Sequence, residues 1–139
     1  MTESSKIDFR YRRISRIGDI TDLVEMLFPG NRNQQHAAAR ILLALKVASE
    51  PIRSLSYLED RFAISQRTLQ RVRAKLSRLG LIEHVTWMNT RHGGREGWKL
   101  SGRMSTALRQ LADKVERWRN DDRRDRRNKE TALADLLSP

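Results

Sequence analysis

The sequence contains no cysteine. That removes disulfide frameworks, CxxC redox pairs, thiolate zinc sites and cysteine nucleophiles. The three histidines, His36, His84 and His92, lie far apart, and none has a spacing that suggests metal ligands. No apolar run approaches the ~18–20 residues a membrane span needs, and the opening MTESSKIDFR lacks the apolar stretch of a secretory signal. No nucleophile–base pair, carboxylate dyad or phosphate loop can be assembled from local spacing. The expectation is a cytoplasmic chain that is not an enzyme, with no metal and no cofactor. Only 38% of the residues are hydrophobic against 32% charged, which points to a small helical core with charged arms. A length of 139 residues suits one domain, or one domain with arms.

What the sequence has in excess is positive charge. There are 28 Lys plus Arg against 17 Asp plus Glu, a formal +11, and Arg supplies 22 of the cations. Arg is the better fork for phosphates and guanine edges, so a polyanion is the expected partner, with nucleic acid ahead of a membrane surface. The charge is concentrated: residues 61–99 hold nine basic and two acidic residues, whereas residues 101–139 hold ten and seven.

Residues 1–18 form a basic arm in which Ile7, Phe9 and Tyr11 alternate with Asp8, Arg10 and Arg12, a strand-like period. Residues 19–28 read as a short helix capped by Asp19, with Ile20, Leu23, Val24 and Leu27 on one face. Asn33 is the expected cap of a longer helix to about residue 49, striped by Ala38, Ile41, Leu42, Leu45 and Ala48, and Pro51 stops it. Ser54 or Ser56 then caps a helix to about Phe62, where Ser56 and Glu59 fit a capping box. After a turn at Ala63 and Ile64, Ser65 caps a helix to about Leu79. Its Leu69, Val72, Leu76 and Leu79 face the core, and Gly80 is its C-cap. Residues 81–88 predict a strand and 98–100 its return, which makes residues 89–97 a glycine-rich, basic hairpin tip.

From about residue 101 a last long helix carries Met104, Leu108, Leu111, Val115 and Trp118 at spacings of 4, 3, 4 and 3, an a/d seam. Residues 119–130 are highly charged with no apolar residue, either a helix extension or a linker, and residues 131–137 predict a short tail helix.

The ordered set resembles the winged helix-turn-helix domain. The resemblance is carried by Leu55 and Leu58 in the support helix and by Ser65, Thr68, Leu69 and Arg71 opening the basic helix. Leu76, Leu79, Gly80, Leu81 and Ile82 at its end, and residues 98–101 where the hairpin returns, complete it. It is closest to the dimeric MarR-like and PadR-like prokaryotic transcriptional regulators, and it covers residues 34–101 well. It implies a mainly α fold with a small β-hairpin wing and a long C-terminal dimerisation helix. The partition is then a basic arm (1–18), a winged helix-turn-helix domain (19–101), a dimerisation helix (102–119) and a charged linker with tail helix (120–139).

The resemblance also implies sequence-specific binding of double-stranded DNA by a homodimer, as a nucleoid-associated regulator of transcription. Gln66, Arg67, Gln70 and Arg71 face away from the core stripe and, by the resemblance, toward the major groove. There Arg can fork onto guanine and Gln onto adenine. Ser65 and Thr68 either touch phosphate or only cap the helix, and Lys75 tracks the backbone. Arg91, His92 and Arg95 in the wing reach the minor groove or its phosphates. The seam Met104, Leu108, Leu111, Val115 and Trp118 supplies the dimer contact. Alternatives are a winged-helix protein of plasmid or viral replication or partition, a winged-helix protein-interaction module, and an RNA binder. Nothing in the sequence marks an effector pocket.

Overall fold

The structure, a computed structural model, describes residues 6–86 and 96–139. Arg91, His92 and Arg95, and with them residues 89–95 of the expected hairpin tip, lie outside the described residues, and Gly97, expected in the tip, opens the return strand instead. The chain divides into two compact units, Met1–Met104 and Ser105–Pro139. No helix among the described residues is long and apolar enough to cross a membrane.

The first unit is mainly helical with a small antiparallel sheet. Its arm is not a strand, as the alternation predicted. Residues 6–10 have no regular structure, and helix α1 spans Tyr11–Ser15. A period of two needs a partner edge to become a strand. What the arm has is the Asp8 N–H, which donates to the Met26 carbonyl at 2.8 Å. Ile7 and Ile17 pack on the core instead, so the arm belongs to the domain. Arg10 forks onto Asp8, and Arg13 meets Glu25 at 2.7 Å.

Helix α2 spans Ile20–Leu27, and the Asp19 carboxylate accepts the Asp22 N–H at its start. Helix α3 spans Arg32–Val47 and is capped by Asn31, not by Asn33. Pro29 and Gly30 end α2 so abruptly that Asn31 is already extended, and its side chain takes the Gln34 N–H at 3.0 Å. Helix α4 spans Tyr57–Phe62. The expected capping box is absent. Ser56 is itself in helical geometry, with its hydroxyl turned to Ser54 at 2.9 Å. Ala63 then adopts the left-handed conformation, φ 54°, unusual for a residue with a Cβ.

Helix α5 spans Gln66–Leu79 and ends at Gly80, φ 82°. Strands β1 (Ile82–Val85) and β2 (Gly97–Leu100) pair antiparallel, with Ile82 opposite Leu100 and Val85 opposite Gly97. A third segment, invisible in the sequence pattern, joins them: Ile52 exchanges two backbone hydrogen bonds with Trp98, at 2.7 and 2.9 Å. One bridging residue has no period to detect. Gly97 permits the approach, since a Cβ there would sit 2.6 Å from the Ile52 carbonyl oxygen. The core between these elements is built on Leu27, Ile41, Leu55, Leu58, Leu69, Val72, Leu76 and Ile82, all at most 2% exposed.

Helix α6, Arg103–Asn120, begins in the first unit and continues into the second. Helix α7 spans Arg124–Asp135, so the charged stretch is helical except for a break at residues 121–123, and the tail helix starts before residue 131. Within the second unit the Trp118 indole N–H donates to the Glu130 carboxylate, and Arg126 lies one turn from that same carboxylate, at 3.8 Å. Asp121 and Arg123 form a fork in the break between the helices. No described residue after Met104 is buried.

Candidate nucleic-acid interface

Helix α5 is fixed by burial of Leu69, Val72 and Leu76. The 3.6-residue period then turns Gln66, Arg67, Gln70 and Ala74 to the opposite side, where all four are exposed. Arg71 is half-buried at the edge of that face. The helix carries five basic residues and no acidic one, so its exposed face presents the Arg67 guanidinium and two amides, with Arg71 at its edge. Ser65 caps the helix: its hydroxyl accepts the Thr68 N–H at 3.1 Å and donates to the Thr68 hydroxyl at 2.8 Å. The Ser65 hydroxyl is thus committed to the cap, while the Thr68 hydroxyl accepts within it and keeps its proton to donate outward.

Lys75, expected on the phosphate-tracking set, does not belong to it. It is 7% exposed, and its ammonium donates to the Leu27 and Lys6 carbonyls and lies 4.5 Å from the Phe28 ring centre. Helix α2 has no basic residue in its own last turn. Lys75 supplies the missing cation at that helix's negative end and ties the arm to α5. Burial, with Arg78 nearby, lowers its pKa from the ordinary lysine value. The sequence pattern missed this because a lysine three residues beyond Val72 sits at the margin of the stripe, where stem and head can go separate ways.

The opposite flank of α5 meets the sheet. Arg73 lies 4.9 Å from the Trp98 ring centre, and His84 packs edge-on against the same ring at 4.9 Å. Glu83 approaches Lys99 at 3.8 Å and Arg103 at 3.6 Å. Strand residues therefore hold the base of the hairpin against the helix, while Arg91, His92 and Arg95, the residues expected in a wing, lie outside the described residues.

Of the expected seam, Met104 is a core residue of the first unit, 8% exposed, and its N–H donates to the Gly80 carbonyl at 3.0 Å. It leaves the seam because the turn after β2 brings it beneath the end of α5. Leu108, Leu111, Val115 and Trp118 are 42–63% exposed. Leu133, Leu136 and Leu137 are exposed as well. No family description, curated protein or solved structure matches this chain.

Proposed function

We propose that the chain is a homodimeric, sequence-specific double-stranded DNA-binding protein of the winged helix-turn-helix type, acting in the cytoplasm on the nucleoid to regulate transcription. The observation that carries this reading is the outer face of α5. Gln66, Arg67 and Gln70 stand exposed beside Arg71 on a capped helix with no acid. Bidentate side chains at the N-terminal half of a protruding helix suit base edges in a major groove. The surrounding excess of Arg attracts the phosphates without specifying sequence. A protein-interaction module predicts an apolar or acidic helix at this position, and α5 carries five basic residues and no acid.

The dimer part rests on the second unit. Seven large apolar side chains of α6 and the tail are exposed there with no buried residue to receive them. A second copy offers the same stripe, which is self-complementary about a twofold axis.

Selection of bound duplexes from a random library, with the winners titrated against salt, tests the reading. A palindromic consensus is expected, with a slope of log affinity on log salt near −7 to −9, for about 8–10 phosphate contacts per dimer. Binding without a consensus, or no binding, would remove it.

A further inference from the structure

Helix α3 carries two apolar stripes. One, Ala37, Ala38, Ile41, Leu42 and Leu45, is buried in the core. The other, Leu43, Ala44, Val47 and Ala48, runs along a groove between α3 and α4 that Tyr57 and Phe62 close on the far side, with a volume of about 420 Å³. This second stripe has the spacing that packs one helix on another, yet Leu43 is 40% and Val47 83% exposed. Tyr57 is exposed too.

The end of the groove is cationic. Arg40 lies with its guanidinium carbon 4.0 Å from the Phe62 ring centre and donates from Nε to His36 Nε2 at 3.2 Å. Arg61 lies 5.4 Å from the same ring centre. Neither guanidinium meets a carboxylate among the described residues, and no acidic residue lines the groove. Two guanidinium groups held on one aromatic ring keep their outer N–H groups available for an anion.

We infer that this groove docks an acidic amphipathic helix of a partner protein. Leu or similar side chains at i, i+3, i+4 and i+7 would lie along Leu43 and Val47, and carboxylates at the helix edge would fork onto Arg40 and Arg61. A nucleic-acid backbone would match the two cations but not the apolar floor beside them. No lining residue lies on α5, so the groove would recruit a partner without competing for the face assigned to DNA. The inference stands apart from that assignment and does not need it.

The test uses the full chain and a fluorescein-labelled synthetic helical peptide with Leu at i, i+3, i+4 and i+7 and Glu on the flanking positions, followed by anisotropy. Saturable binding is expected, weakened about fivefold or more by Arg61→Glu, since reversing one charge of an exposed pair changes affinity on that scale. Val47→Glu, at a position too exposed to unfold the chain, should weaken it comparably, and an unrelated duplex should not displace the peptide. No binding, equal binding of the peptide with Lys in place of Glu, or indifference to Val47→Glu would overturn the inference. So would displacement by the duplex together with a fall in duplex affinity for Arg61→Glu, which would give the two cations to phosphate.

Discussion

Lys75 shows what one side chain decides. Its ammonium satisfies the Leu27 carbonyl, closes the end of α2 and fastens residue 6 to α5. Lys75→Met keeps most of the stem but leaves a buried carbonyl without its donor, which should cost about 1–3 kcal/mol and release the arm, read by denaturant unfolding and by proteolysis of the first residues. The pH dependence carries a sign. The folded pKa lies below the ordinary lysine value, so on the alkaline side the unfolded chain holds the proton more tightly. Lys75's contribution to stability therefore rises with pH across the window between its folded pKa and the ordinary lysine value. The gap between wild type and Lys75→Met should be narrowest at neutral pH and widen above it. A gap that shrank as pH rose would mean the fold favours the charged ammonium over the neutral amine.

Among the elements, α5 is where sequence and structure agree most closely. Ser65, the stripe Leu69, Val72 and Leu76, and Gly80 mark its start, buried face and end, and each is where the pattern put it. Arg67→Ala, on the exposed face, should cost the preferred duplex about 1–3 kcal/mol while leaving random duplex nearly unchanged. Competition titrations at one salt concentration separate these, and equal losses on both would take Arg67 out of base reading. Helices α2, α3 and α6 were legible for the same reason, since a stripe repeated over two or more turns outweighs local ambiguity. What escaped notice was short or non-local. The arm's alternation was too brief to tell a strand from a chain lying on the core. The Ser56 box failed because its own backbone had already turned helical. The Ile52 bridge and the Lys75 clamp depend on residues 46 and 48–69 positions away in sequence, which no local window contains. The groove beside α3 was in plain view as Leu43, Ala44, Val47 and Ala48. It could be separated from the core stripe only once the buried face was known.

For the whole molecule, the proposed homodimer rests on the second unit. Leu111, 56% exposed at the middle of the α6 stripe, should become a dimer-breaking site: Leu111→Glu should sediment as a monomer with the first unit still folded, and a variant that stayed dimeric would refute the stripe as the interface. Gly80 belongs to a different ledger of constraint. A Cβ there would meet the Met104 nitrogen at 2.9 Å, and the backbone is left-handed besides. The end of α5 and the start of α6 can touch only because that position has no side chain. Across a library of variants, then, Gly80 should tolerate almost no replacement whichever property is selected, whereas Arg67 and Gln70 should drift freely when folding alone is demanded and become fixed only when binding is. The difference between the two maps of tolerance would draw the outline of the working surface without any ligand being named.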